Sequence, residues 1–144
     1  MTIYDYLKWA LLGAGSAQLV LCAASPFIPV VLKWPEQLES LPKLLRQVFW
    51  TYAAYILGSH LVFALVSLMA ADWLLDRSGM AIVMASFIAV WWSARLVIHL
   101  VGFDTAEVPN EGWHLVAKRM LGLLFVALTG VYVLVVLYNL GVIG

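Results

Sequence analysis

Residues 79–103 read GMAIVMASFIAVWWSARLVIHLVGF, and Arg95 is the one full charge among them. A helix crossing the hydrocarbon core of a bilayer takes roughly 20 mostly apolar residues. This stretch therefore predicts a transmembrane helix. The same criterion selects residues 10–32, 48–71 and 116–140, separated by short polar segments at 33–47, 72–78 and 104–115. The expected fold is all-α: a polytopic membrane protein, a four-transmembrane-helix bundle with short loops, forming a single integral membrane domain over residues 1–144.

Composition agrees. Hydrophobic residues make up 65% of the 144-residue chain and charged residues 11%, against about 45–50% and about 25% in an ordinary soluble domain. A water-soluble fold of this size leaves too much surface exposed to hide that apolar content. Eight Lys and Arg balance eight Asp and Glu, so there is no basic field to attract nucleic acid. The lone Cys22 excludes an intrachain disulfide and a cysteine-based metal site. Residues 10–32 are long enough to span and lack the basic n-region of a secretory leader, so they are expected to be a retained span and not a cleaved leader.

The separators carry helix start and stop chemistry. Ser40 with Pro42 is placed to open the second helix and Ser78 to cap the third. Gly102 is placed to end the third, and Asn110 with Glu111 to open the fourth. Pro26 and Pro29 are expected to kink the end of the first helix. Trp34, Leu38, Leu41, Leu45 and Val48 recur at helical spacing, which predicts an interfacial helix leading into the second span. Trp9, Trp34, Trp50, Trp73 and Trp113 fall near predicted span ends, as an aromatic belt requires. Lys33, Lys43, Arg46, Lys118 and Arg119 flank one side of the spans, and Lys8 and Arg77 the other. The positive-inside rule then places the first side in the cytoplasm and both termini outside, in a plasma or inner membrane.

Ala81, Ala85, Ala89 and Ser93 form a small-residue ladder suited to close helix packing, either within the bundle or against another copy. Counting helical rise places Gln18, His60, Ser93 and Thr129 in one polar layer near the midplane. Arg95, Tyr55 and Ser25 come out one turn nearer the cytoplasm. An arginine inside a span costs about 2.5–3.5 kcal/mol on insertion scales and usually faces a bundle interior or a wet cavity. No carboxylate lies at its depth. Arg95 and His99, four residues apart, are expected to hold the head of an anionic lipid or a quinone-like amphiphile. Tyr52 and Tyr55 would assist, and Trp91 or Trp92 would line the tail path. The plain alternative is an arginine that snorkels to the interface.

His60 and His99 differ by roughly 13 Å in depth on helical rise, which disfavours a bis-histidine haem within one chain. Glu111 and His114 show a Glu-x-x-His spacing, but carboxylate-bridged metal centres need two such copies. Asp72 and Asp76 are expected to be solvated. No catalytic motif, resident metal or cofactor is expected. The primary functional expectation is a non-catalytic subunit or oligomeric scaffold, surrounded by membrane lipids and able to join a homo-oligomer or a larger membrane complex. The lipid- or quinone-binding groove facing the cytoplasm is the alternative. A membrane enzyme using His60 or His99 as general base is a weaker one.

Overall fold

The computed structural model describes residues 1–102 and 112–144. Expectations that fall on residues 103–111, including the acidic loop and the opening of the fourth helix at Asn110 and Glu111, lie outside the described residues. Four helices are long and apolar enough to cross a membrane, so the chain is an all-α, membrane-embedded four-helix bundle. Helix α1 spans Ile3–Ala24, and two short helices follow, α2 (Phe27–Val31) and α3 (Trp34–Leu38). The second span is α4 (Lys43–Met69), followed by the single turn α5 (Ala71–Leu74). The third is α6 (Gly79–Val97), which widens into a π-helical turn at Ile98–Gly102. The last is α7 (Gly112–Asn139).

The caps explain where the helices begin. Thr2 and Asp5 form a capping box at the start of α1, so this helix begins at Ile3 and not near residue 10. Ser78 caps α6, its hydroxyl accepting from Ala81 N at 3.1 Å, as the sequence suggests. Ser40 does not open α4; its hydroxyl instead donates back to the Gln37 carbonyl at 3.1 Å. Pro42 takes the N-cap position of α4 in an extended conformation, φ −51° and ψ 143°. That residue divides the predicted interfacial helix, leaving α3 short and placing Leu45 and Val48 on α4. Proline breaks the first span where expected, with α1 ending at Ala24 and α2 resuming at Phe27.

Around the bundle the order is α4, α1, α7, α6, with α1 packed on α4 and α7, and α7 packed on α6. Gly15 sets the closeness of the first pair: a Cβ there would sit 2.7 Å from Leu68 Cγ and 3.0 Å from the Ala64 carbonyl oxygen. Ala81, Ala85 and Ala89 are buried within the chain, so the small-residue ladder serves packing inside the bundle. The α4 and α6 helices meet through rings, with Phe63 at 5.9 Å from Phe87 and 5.5 Å from Trp91.

Burial is uneven along the helices. The buried faces are Leu7 to Gln18 on α1, His60 to Ser67 on α4, Ala81 to Trp92 on α6 and Phe125 to Asn139 on α7. All four lie in the half nearer the chain termini. In the other, distal half, α4 from Lys43 to Ser59 has no buried residue. The bundle is thus packed at one end and splayed at the other.

The packed end is also tied together by polar contacts. Asp72 accepts from the Tyr4 hydroxyl and pairs with Lys8 at 2.6 Å. Asn139 accepts from Arg77 N at 2.9 Å and donates to the Leu74 carbonyl at 2.8 Å. Arg77 lies over the Tyr138 ring at 4.4 Å and donates to the Gly144 carbonyl at 2.7 Å. Asp72 is therefore a clamp between α1 and α5, not merely a solvated acid. Hydrogen bonds from Lys8 and then Tyr4 hold its carboxyl below the usual carboxylate range. Asp76 is likewise lowered by Ser78, first through its side chain and then through its backbone N, which donates at 2.8 Å.

Candidate functional site

Where the packed half ends, each long helix contributes a side chain to one layer: Gln18 from α1, His60 from α4, Trp92 from α6 and Phe125 from α7. All four are buried. The His60 imidazole stacks on Trp92 at 4.8 Å between ring centroids and meets Trp91 edge-on at 6.0 Å. Trp92 in turn packs against Phe125 at 5.6 Å. The Phe125 ring also carries the Arg95 guanidinium at 5.8 Å and the edge of His99 at 5.3 Å. Rings from three helices thus form one continuous stack with two potential cations on its flank.

Polar groups at this level divide into satisfied and unsatisfied sets. Gln18 Nε2 donates to the Tyr132 hydroxyl at 2.7 Å and to the Ala14 carbonyl at 3.1 Å. The Tyr132 hydroxyl also bonds with Ser67. This buried triad links α1, α4 and α7. In contrast, Gln18 Oε1, His60 Nε2, Trp92 Nε1, Arg95 Nε and Thr129 Oγ1 are buried without a hydrogen-bond partner among the described residues. Buried polar groups are nearly always bonded, so an unpartnered set drawn from all four long helices distinguishes this level.

The expected midplane layer of Gln18, His60, Ser93 and Thr129 is placed as follows. Gln18, His60 and Thr129 all bear unpartnered atoms here, whereas Ser93 bonds back to the Ala89 carbonyl at 2.7 Å within its own helix. The expected ligand cluster is brought together only in part: Arg95 and His99 both reach the Phe125 ring, and the aromatic members lie elsewhere. Arg95 turns to Phe125 in the interior. Trp92 is a core residue, and Trp91 belongs to the aromatic seam with Phe63 and Phe87. Tyr52 and Tyr55 lie 64% and 70% exposed on the outer side of α4.

His99 lines an outer groove of about 540 Å³ between α6 and α7, with Lys118 and Arg119 at its rim and Leu96, Leu100 and Leu123 on its walls. The π-helical turn carries His99 toward α7, where Nε2 reaches the Lys118 carbonyl at 3.2 Å. Gly122 leaves room for the ring, since a Cβ there would lie 3.1 Å from Nε2. His114 stacks on Trp113 at 3.6 Å, while Glu111, the other member of the Glu-x-x-His spacing, lies outside the described residues.

Sequence reasoning missed Tyr132, Ser67 and Phe125. Phe125, Leu128, Tyr132, Val135 and Asn139 share one face at helical spacing, and that periodicity was the available signal. Comparison with known proteins supplies no relative: no family model, curated protein or solved structure matches the chain.

Proposed function

We propose that this chain is a non-catalytic membrane protein that holds an anionic lipid in the outer groove between α6 and α7. The carrying observation is the arrangement of that groove. His99, Lys118 and Arg119 sit at its rim, above walls of Leu96, Leu100, Leu115, Leu123 and Val126. A cationic rim over an apolar trough suits a phosphate head with its acyl chain, and each Lys or Arg near an anionic surface contributes about 1 kcal/mol. A quinone head lacks the charge that such a rim rewards. The basic residues Lys33, Lys43 and Arg46 lie toward the same end, which supports a cytoplasmic distal end with both termini outside, in a plasma or inner membrane.

Native mass spectrometry of the protein from mild detergent, offered phosphatidylglycerol, tests this. Replacing Lys118 and Arg119 together by Gln is expected to weaken lipid retention about tenfold or more. Retention equal to wild type refutes it.

The helper-subunit reading is favoured by a different surface. A groove of about 450 Å³ beside Phe63 and Phe87 exposes Ala54 and Gly58, four residues apart on α4, and a Cβ at Gly58 would meet nothing within 4 Å. Small residues at that spacing admit a second transmembrane helix. Gly58→Leu should then abolish co-purification of a membrane partner or of a second copy, and a strictly monomeric wild-type particle would count against this reading. A membrane enzyme draws less support. His99 bonds a backbone carbonyl and His60 is stacked beneath Trp92; neither is oriented by an acid among the described residues.

A further inference from the structure

The unpartnered interior layer is separate from the outer groove, and its chemistry is one-sided. The Trp92 indole N–H and Arg95 guanidinium can only donate, and Thr129 and His60 Nε2 can donate or accept. Gln18 Oε1 alone is restricted to accepting. Asp5, at the far end of α1, is the only acid in the four long helices, so Arg95 has no intrahelical counter-charge at this depth. Trp92 is fully buried and Gln18 equally so, and each bears an atom without a partner among the described residues. A cation finds almost nothing to coordinate it here. A compact negative charge finds a guanidinium, an indole N–H and a hydroxyl.

We infer that the bundle interior binds a compact anion, a halide or a small carboxylate, between Arg95, Trp92 and Thr129, with His60 beside it. Stacking holds the indole in place: His60 lies at 4.8 Å on Trp92, and Phe125 packs against the same ring at 5.6 Å. The Phe125 ring at 5.8 Å steadies the guanidinium. Thr129 is one helical turn from Tyr132, whose hydroxyl bonds Gln18 and Ser67. That bonded triad, with the packed core behind it, closes the terminal side. The splayed distal half provides the approach. Anions enter, on this proposal, from the end that carries Lys33, Lys43 and Arg46.

The same negative charge could arrive on a lipid phosphate, and the two sources separate experimentally. The full chain, delipidated in neutral detergent, is titrated with sodium bromide at constant ionic strength while tryptophan fluorescence is recorded. Bromide bound beside Trp92 quenches it in a saturable phase, over a linear collisional background from the exposed tryptophans. Trp92→Phe abolishes the saturable phase, and Arg95→Gln raises its half-saturation point about tenfold or more, as loss of a charge-assisted bond requires. Thr129→Val, a shape-conserving change, weakens it in the same direction and serves if Arg95→Gln does not fold. Linear quenching alone in the wild type overturns the inference, as does a half-saturation point unmoved by both substitutions. A response to short-chain phosphatidylglycerol with none to bromide also overturns it, assigning the charge to lipid. Because lipid retention is read by mass and bromide by fluorescence, failure here leaves the outer-groove proposal standing on its own test.

Discussion

Replacing Tyr132 by Phe removes one oxygen from a buried point where side chains of three helices are bonded. The ring stays, so no cavity opens. Gln18 Nε2 loses a bond of 2.7 Å but keeps the Ala14 carbonyl at 3.1 Å. Ser67, fully buried, loses its cross-helix partner. An unsatisfied buried group costs about 1–3 kcal/mol, while side-chain bonds between membrane helices average about 0.6 and reach about 1.7 kcal/mol. With one strongly affected group and one partly affected group, the expected loss is about 1.5 kcal/mol. Reversible unfolding in mixed micelles with increasing dodecyl sulfate, followed by far-ultraviolet circular dichroism, measures it. Combining Tyr132→Phe with Ser67→Ala should cost less than the sum of the single changes, by about 0.5–1 kcal/mol. A single-variant effect below about 0.3 kcal/mol, or a strictly additive cycle, refutes the claim that this triad binds three helices together.

Two further outcomes follow from the packed half. Gly15→Val drives a branched side chain toward Leu68 and the Ala64 carbonyl and should destabilise by about 1–3 kcal/mol in the same unfolding assay; Gly13→Ala, in open space, should not destabilise. Asp72 titrates below its ordinary value of 3.8 because Lys8 and Tyr4 bond it, so its contribution is present above that value and lost as pH falls through the lower folded one. Thermal midpoints should therefore drop below about pH 4 more steeply in the wild type than in Asp72→Asn; identical profiles would show that the clamp carries no stability.

Much of the architecture was legible because lipid imposes few choices. A helix must satisfy its own backbone in hydrocarbon, so apolar length alone located the four spans. Helix ends were less legible where caps decide them: Thr2 and Asp5 extend α1 well before the apolar run begins. Because rise along a helix is fixed, depth counting drew attention to Gln18, His60 and Thr129, which all bear a buried atom without a partner among the described residues. It could not give rotation about the axis. That is why the meeting of Arg95 and His99 on the Phe125 ring, with His99 also lining the outer groove, and the exposure of Tyr52 and Tyr55 on α4 had to come from the structure. Tyr132 was invisible for a related reason. Its value depends on Gln18 and Ser67 arriving from two other helices, and no local pattern in the sequence records that meeting.

The aromatic seam between α4 and α6 has a mechanical consequence. Every other neighbouring pair of spans is held along its backbone, but these two are bridged by Phe63, Phe87, Trp91, Trp92 and His60. Those two spans interlock through side-chain rings, whereas α1 meets α4 at the backbone, at Gly15. The seam beside His60 and Trp92 is thus the boundary between neighbouring spans that side chains, and not close backbone approach, hold shut.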